Sequence, residues 1–359
     1  MPKSAKTDKH ARKAAKRDAG APPMGVGAAD PKAQADERRA PATPTTHPPA
    51  SPRGDTGAQV PAIEMEAPLV GTTRPTSAGA EAILHARFDV LDHGFVRLVD
   101  YMGDDRSIPQ AARVSYGSGT KRVSDDTGLI RYLMRHWHTT PFEMVQAKFH
   151  VKVPVFIARQ WMRHRAATYN EYSARYSILD REFYLPSPED LATQSTVNKQ
   201  GRAEILDATT ADRVLHMLRH DATQAFDSYD QMVDPEGDNL ARELARINLP
   251  MNTYTQFYWS VSLHNLLHFL RLRADSHAQA EIRAYAETIS EHIVAPWCPI
   301  SHQAFADFRR DAVTLSRQGR DYVNACLAAP AGRPRPAPED FGIPKREARE
   351  ILASFPGLA

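Results

Sequence analysis

The distribution of aromatic residues most strongly limits where this chain can fold. Phe, Tyr and Trp are absent before Phe88, and 12 of the 27 prolines fall within the first 80 residues. A segment without such side chains buries too little apolar area to offset an ordering cost of roughly 1–2 kcal/mol per residue. The sequence therefore predicts a disordered, basic and proline-rich extension over residues 1–80, a folded domain over residues 81–308 and a partly helical C-terminal extension over residues 309–359.

Charge and cysteine content limit the partners and the compartment. The first twenty residues carry seven Lys or Arg, which suits either a solvated tail or contact with an acidic surface. The net charge of the whole chain is only +2, so nucleic acid is not expected as the main partner. No apolar segment resembles a secretory signal or reaches the ~20 residues of a membrane span. Two cysteines are too few for a disulfide framework, which favours a cytoplasmic protein.

Hydrophobic periodicity predicts an α+β domain with a small mixed or antiparallel sheet, packed helices and a helical subdomain. Residues 87–91 and 95–99 are β-prone runs around a glycine-containing turn, which indicates a hairpin. Residues 145–153 alternate apolar and polar side chains, which is typical of a strand with one face of each kind. Helices are predicted over residues 125–138, 155–164, 201–233, 257–271 and 275–294, with a short one after Asp238.

The densest polar cluster begins in the predicted helix 155–164. Five cationic or potentially cationic side chains lie within seventeen residues: Arg159, Arg163, His164, Arg165 and Arg175. Arginine binds phosphate through two parallel hydrogen bonds, and such charge-assisted bonds are worth roughly 1.5–3 kcal/mol each. A multiply charged ligand such as a nucleotide fits this cluster, although a solvated helix end paired with Glu171 would have the same composition.

The order of residues in this cluster resembles the signature of the flavin-dependent thymidylate synthases. Arg-His-Arg at 163–165 is followed, after seven residues, by Ser173. Blocks at 111–115, 138–143 and 272–279 resemble further blocks of that family, in the same order, within roughly residues 88–305. The resemblance implies the fold of that family and a homotetramer whose active sites are built from several subunits.

The resemblance also implies an activity, which is the reductive methylation of dUMP to dTMP. FAD would be the bound cofactor, 5,10-methylenetetrahydrofolate the carbon donor and NADPH the reductant. A cationic arginine beside the pyrimidine favours its electron-rich, N3-deprotonated form, and this role falls to Arg273. Reduced flavin would supply the hydride, so the reaction needs no thiolate. Neither Cys298 nor Cys326 lies close in sequence to the polar motifs.

Matching positions imply which residues bind each ligand. Residues expected at dUMP are Gln160, Trp161, Met162, Arg163, Glu171, Tyr172, Ser173, Ala174, Arg175, Arg246 and Arg273. Residues expected at FAD are Ser115, Thr140, Glu143, Arg163, His164, Arg165, Asn170, Glu171, Ser262, Leu263, His264 and His268. His138 and Glu243 are expected in supporting roles. Ser173 is interpreted as a phosphate-binding hydroxyl rather than a nucleophile, because no base is evident near it in sequence.

Two other functions are compatible with parts of the sequence. His136 with His138, or His264 with His268, could place two imidazoles together as in a metal-dependent hydrolase, although no Glu-flanked His-x-x-x-His motif occurs. Tyrosines interleaved with arginines, such as Tyr169, could stack nucleic-acid bases. Both interpretations explain fewer residues than the family resemblance does, and no metal site is predicted.

Overall fold

The computed structural model describes residues 71–114, 126–196, 201–330 and 333–358. The strands are β1 Arg87–Val90, β2 Gly94–Met102, β3 Gln146–Pro154, β4 Thr168–Glu171, β5 Ala192–Gln194, β6 Arg202–Ile205 and β7 Tyr254–Ser262. The helices are α1 Ala78–Glu81, α2 Ser107–Arg113, α3 Asp126–Arg135, α4 Thr140–Glu143, α5 Val155–Trp161, α6 Ala208–Val233, α7 Arg242–Ala245, α8 Leu263–Arg273, α9 Ala280–Ile289, α10 Ala295–Trp297, α11 Pro299–Phe305, α12 Arg317–Ala328 and α13 Lys345–Ser354. Most of the predicted N-terminal extension, and Ser115, lie outside these ranges.

A five-stranded antiparallel sheet in the order β1-β2-β3-β7-β4 forms the centre of the fold. Strands β3 and β7 pair along their whole length, from Gln146 opposite Ser262 to Pro154 opposite Tyr254. Strand β4 pairs with the other edge of β7, and β5 pairs with β6 in a separate two-stranded sheet. The predicted hairpin is confirmed as β1–β2, and the predicted α+β class with an antiparallel sheet is confirmed as well.

Large aromatic side chains fill the space between the sheet and helices α5, α8 and α9. Trp161 is fully buried, and its ring centroid lies 5.2 Å from that of Trp259 and 4.7 Å from that of Phe269. Tyr285 lies on the far side of Trp161, at 5.8 Å, and its hydroxyl donates to the backbone oxygen of Lys152 at 2.7 Å. Rings at these separations gain favourable edge-to-face contacts in addition to their burial.

The later part of the polar face of β3, at His150 and Lys152, is buried as well, whereas Lys148 is exposed. The alternating pattern did not predict this burial. His150 and Lys152 are only 3% and 7% exposed. Arg97 Nη2 lies 2.7 Å from His150 Nδ1, and a guanidinium only donates, so Nδ1 accepts. His150 Nε2 therefore carries the proton and donates to Gln256 Oε1 at 2.9 Å. Lys152 pairs with Glu182, so the polar groups on this face are hydrogen-bonded within the protein.

Stability should depend on pH through His150. Burial, and secondly the charge of Arg97, lowers the pKa of His150 to about 4 from its ordinary 6.5. Between these pH values the unfolded chain binds the extra proton, so the free energy of unfolding should fall as pH drops through this window. We expect His150→Gln to flatten that dependence by up to about 1.4 kcal/mol per pH unit. Denaturant titrations of both proteins at pH 4 to 7 measure the difference, and identical slopes would contradict the assignment.

The predicted helix over residues 257–271 is wrong in its first half. Strand β7 continues to Ser262, and only the remainder is helical. Buried positions largely alternate along Tyr254–Ser262, and the segment is rich in aromatic and β-branched residues, which suit a pleated surface. Its apolar character alone did not distinguish strand from helix, because β7 is central in the sheet and one run continues through strand and helix.

Three other helix starts differ from the predicted ones. Residues 202–205 form strand β6, and α6 starts at Ala208 with Asp207 Oδ1 accepting from Thr210 N at 3.0 Å. Helix α7 begins at Arg242 rather than after Asp238. Helix α9 begins at Ala280 rather than near residue 275, and a π-helical turn at Ser290–Val294 follows it. Asp238 and Asp275 were the expected caps of the two later helices, but the N-cap positions of α7 and α9 are Ala241 and Gln279, and neither forms a side-chain capping bond.

The C-terminal extension contains helices α12 and α13. Tyr322 and Cys326 of α12 and Ile351 of α13 belong to a small hydrophobic cluster separate from the aromatic core around Trp161. Among the described residues, no helix combines the length and apolar character needed to cross a membrane.

Candidate active site

Strand β7 leads directly into helix α8, and this junction positions two histidines. Ser262 ends the strand, and its Oγ accepts a hydrogen bond from Asn265 N at 3.4 Å, which caps the helix. His264 and His268 follow one turn apart, so their side chains lie on the same face of α8. The junction therefore brings Ser262, His264 and His268 of the predicted FAD set together.

Helix α4 packs against α8 and supplies a second part of the predicted FAD set. Thr140 is exposed, whereas Glu143 is half-buried. Burial lowers the pKa of His264, and the charge of Glu143 opposes that effect, so the two side chains are close enough to interact. The 138–143 block and the start of α8 thus lie side by side, although Leu263 itself is fully buried.

His164 is a buried, neutral histidine at the centre of the predicted site. It is 7% exposed, and its ring centroid lies 5.6 Å from that of His268. Burial, followed by the charges of His268 and Arg273, lowers the pKa of His164 to about 4. Among the described residues, its Nε2 atom has no hydrogen-bond partner. A neutral imidazole with a free nitrogen is therefore available to a ligand at neutral pH.

Arg273 ends α8 beside this histidine. Its Nη2 donates to the backbone oxygen of Gln160 at 3.2 Å, and its Nε is buried without a partner in the described part of the chain. The Tyr169 hydroxyl donates to the His164 backbone oxygen at 2.6 Å. Burial raises the pKa of Tyr169 to about 12, and the charge of Arg273 acts against that rise. Arg273, His164 and Gln160 therefore lie together, as predicted for residues of one site.

Sequence reasoning missed two residues of this cluster. Tyr169 orients the backbone at His164, and the Gln279 side chain forms a hydrogen bond with that of Gln160. Both lie inside sequence blocks that carry the family resemblance, so membership of a block was the available signal. Nothing in their local spacing distinguishes them from structural residues.

The connection after β4 forms a turn around Ser173. Ser173 Oγ accepts from Arg175 N at 3.3 Å, and its backbone oxygen accepts from Tyr176 N at 3.0 Å. Arg175 pairs with Glu243 at 3.2 Å, and Arg242 Nη1 donates to the Tyr176 backbone oxygen at 2.7 Å. This turn and helix α7 are thereby joined, which places Glu243 beside the predicted dUMP residues.

Several predicted phosphate ligands are exposed cations. The following arginines are solvent-exposed and form no ion pair with any described residue: Arg163, Arg165 and Arg246. Arginines without a protein carboxylate keep their N–H groups free for an anionic ligand. Their exposure is also compatible with solvation, so their role remains a prediction.

One chain does not bring all predicted site residues to one point. Asn170 and Glu171 lie opposite Tyr258 and Phe257 of β7. Those positions are four and five residues from Ser262, a distance of about 14–17 Å at the usual strand rise. The predicted FAD residues of β4 therefore lie beside the middle of β7, whereas those of α8 follow its C-terminal end.

Three predicted dUMP residues have little exposed side-chain surface. Trp161 is fully buried in the aromatic core, Ala174 is buried, and Met162 is half-buried and packs against that core. Their side chains contribute to packing around the site, and contact with a ligand would involve their backbone.

Two neighbouring cavities lie against α3 and α4. The larger, of about 1030 Å³, is lined by residues of α2, α3 and α4 and includes Thr140. The smaller, of about 170 Å³, reaches His264 and His268 on α8. Both are lined by Leu133 and His138. His138 therefore stands between the two cavities, as a residue in a supporting role would. In the described ranges, no three His, Cys, Asp or Glu side chains are grouped to hold a metal ion.

An arginine-rich connection, a neutral buried histidine and a half-buried arginine together define a site for an anionic, hydrogen-bonding ligand.

The family model described as "Thymidylate synthase complementing protein" matches residues 97–300. A flavin-dependent thymidylate synthase of Gluconobacter oxydans is 58% identical over 288 residues, covering 80% of this chain and 93% of the relative. Another, of Ruegeria pomeroyi, is 59% identical over 281 residues, covering 78% and 91%. The chain belongs to the flavin-dependent thymidylate synthase family.

A solved structure shares the fold. The UMP/dUMP methylase PolB from Streptomyces cacaoi, bound with 5-Br UMP, is 35% identical with a TM-score of 0.55. The match covers 62% of this chain and 98% of PolB.

Proposed function

We propose that this protein methylates dUMP to dTMP, with FAD as cofactor, 5,10-methylenetetrahydrofolate as carbon donor and NADPH as reductant. The names of its relatives support a flavin and a thymidylate synthase activity, and PolB is a methylase of UMP and dUMP. The observation that carries the proposal is the position of Arg273, half-buried beside His164 with one N–H unsatisfied.

Arg273 is suited to activate a pyrimidine. Burial lowers the pKa of its guanidinium, but an arginine starts from so high a value that it remains cationic at neutral pH. A fixed positive charge in a partly buried site stabilises the N3-deprotonated pyrimidine, which makes C5 a better nucleophile. The backbone oxygen of Gln160 holds the guanidinium in place, so little reorganisation is needed when the ring becomes charged.

A free polar atom of the site fits a bound flavin. His164 Nε2 is buried without a partner among the described residues, and such an atom costs about 1–3 kcal/mol unless a ligand satisfies it. When bound, reduced flavin supplies the hydride. Residues that would hold it are Ser115, Thr140, Glu143, Arg163, His164, Arg165, Asn170, Glu171, Ser262, Leu263, His264 and His268. Because His164 is neutral, it can serve as a hydrogen-bonding group there without adding charge.

The exposed arginines are assigned to the phosphates. Arg175 and Arg246 would bind the dUMP phosphate, together with the Ser173 hydroxyl and nearby backbone N–H groups. Glu243 pairs with Arg175 and would orient it. In the described structure no basic side chain forms a hydrogen bond with the Ser173 hydroxyl, which favours binding over nucleophilic attack.

The burial of both cysteines supports a route without a thiolate. Cys298 is fully buried, and burial raises the pKa of its thiol well above the ordinary value. Cys326 is buried in the C-terminal hydrophobic cluster, apart from His164 and Arg273. A protonated, enclosed thiol is a poor nucleophile. Two reduced cysteines also agree with the proposed cytoplasmic location.

The separation of the site residues supports a homotetramer with shared active sites. Asn170 and Glu171 lie too far along β7 from Ser262 to contact the same part of one flavin within a single chain. A second copy would bring the missing residues to each site. This arrangement is the one that the family resemblance implies.

The absorption spectrum of the purified protein tests the proposal. We expect a yellow protein whose flavin absorbance bleaches with NADPH in the presence of dUMP. Addition of methylenetetrahydrofolate should then yield dTMP. A colourless protein containing stoichiometric zinc would instead favour a metal-dependent hydrolase.

A further inference from the structure

The small cavity beside α8 is lined by cations that the proposed mechanism does not use. It has a volume of about 170 Å³ and lies among α3, α4, α8 and the segment after α11. Arg271 and Arg309 line it, next to the exposed Trp137. His264 and His268, two of the proposed flavin residues, also line it.

Arg271 is free to bind an anion. Its guanidinium forms no hydrogen bond or ion pair with any described residue. Its positive charge does interact electrostatically with Asp275, four residues further along the chain. Arg309 donates to the backbone oxygens of Met134 and Phe308, which leaves further N–H groups available. Two cationic side chains that share one cavity without a carboxylate partner repel each other, and an anion relieves that repulsion.

Trp137 provides a flat aromatic surface at a backbone position that does not favour it. Its φ angle is +62°, in the left-handed region where Gly or Asn normally ends a helix. Such a conformation is strained for a bulky residue and tends to occur at functional sites. The side chain is 66% exposed, so core packing does not explain it. Arg309 Cζ lies 3.2 Å from the centre of its ring, which fixes the indole at the cavity mouth.

We propose that Trp137, Arg271 and Arg309 bind an aromatic ring that carries an anionic group, on one of the two co-substrates of the reaction. This inference rests on the proposed function. The ring would stack on the face of Trp137 opposite to Arg309, and a carboxylate or phosphate would bind the two arginines. The same chemistry is present in the p-aminobenzoyl-glutamate end of the folate and in the adenosine phosphate end of NADPH. The position of the cavity beside His264 and His268 would leave the reactive end of either molecule near the flavin residues.

Fragment binding to the FAD-loaded protein tests the site directly. Isothermal titration calorimetry would use p-aminobenzoyl-glutamate and 2′,5′-ADP as separate probes. We expect the wild type to bind one of them, and Arg271→Gln and Trp137→Gly each to weaken that binding about tenfold. Glycine adopts a positive φ without strain, so Trp137→Gly should keep or raise the melting temperature while it loses affinity. A purely structural tryptophan would give the opposite stability result.

Arg213→Gln is the matched control, because Arg213 is exposed on α6 away from the cavity. It should bind both probes as the wild type does. A loss confined to p-aminobenzoyl-glutamate identifies the folate, and one confined to 2′,5′-ADP identifies the nicotinamide co-substrate. Binding of neither probe by the wild type, or wild-type binding in both variants, overturns the inference.

Two further readouts separate this inference from the proposed function. Loss of bound flavin in Arg271→Gln would show that the cavity holds the cofactor and would overturn the inference alone. Wild-type protein that forms no dTMP would overturn the proposed function, and the co-substrate assignment with it. Normal dTMP formation with unaltered fragment binding in both variants would refute only the new site.

Discussion

Replacing Arg273 with alanine is expected to lower the rate of dTMP formation by about 100-fold or more, with bound flavin retained. The expected loss is large because the guanidinium would stabilise charge that develops on the pyrimidine during the reaction. Alanine removes that charge and also the hydrogen bond to the Gln160 backbone oxygen. Flavin should remain because Arg273 is not among its proposed ligands, several of which lie on α4, on β4 and at the start of α8.

Single-turnover measurements with preloaded dUMP would report the chemical step. Arg273→Lys keeps the charge but not the planar fork, so an intermediate rate is expected. Arg213→Ala, on the exposed surface of α6, controls for the loss of an arginine and should react normally. Turnover at the wild-type rate in folded, flavin-loaded Arg273→Ala would remove Arg273 from the mechanism.

Replacing Trp161 with alanine is expected to lower the free energy of unfolding by about 3–5 kcal/mol. The family resemblance places this residue near dUMP, yet its side chain is fully buried between Trp259, Phe269 and Tyr285. Removing the indole would leave a cavity that these rings cannot fill, because each is held by other contacts. Guanidinium denaturation of both proteins measures the loss.

Trp161→Phe separates packing from ligand binding. Phenylalanine keeps most of the apolar contacts, so a smaller loss of stability and nearly unchanged dUMP affinity are expected. The indole N–H has no partner among the described residues, so its removal should cost little. A stable Trp161→Phe variant with strongly reduced dUMP affinity would show that the indole itself serves the substrate.

Local sequence patterns correctly predicted the strands and helices whose conformation is indicated by nearby residues alone. The β1–β2 hairpin has two β-prone runs around a glycine-containing turn, and the sequence of β3 alternates apolar and polar residues. Helix α5 follows Pro154, a residue compatible with a helix start. The prediction for β7 was wrong because its strand conformation depends on pairing with β3 and β4 on both sides, which no local pattern shows. The burial of His150 was not predicted for the same reason, because its partners Arg97 and Gln256 come from neighbouring strands.

For the candidate site as well, the sequence indicated features that depend on nearby residues and missed those that depend on tertiary packing. Sequence blocks located His164 and Arg273 because the residues around them are distinctive. They did not show that His164 would be neutral, because that follows from burial and from the electrostatic effects of His268 and Arg273 on α8. Nor did they indicate the cation pair of Arg271 and Arg309, which are 38 residues apart in the chain and line the same cavity.

The absence of a loop between β7 and α8 has a consequence for how this protein can diverge. Loops tolerate insertions and deletions, whereas here α8 begins at Leu263, directly after β7 ends at Ser262. Adding or removing one residue in β7 would turn every side chain of α8 by about 100°. It would also exchange the two faces of the strand beyond that point. His264, His268 and Arg273 would leave their places together, so the nine-residue length of β7 constrains the site more than most of its side chains do.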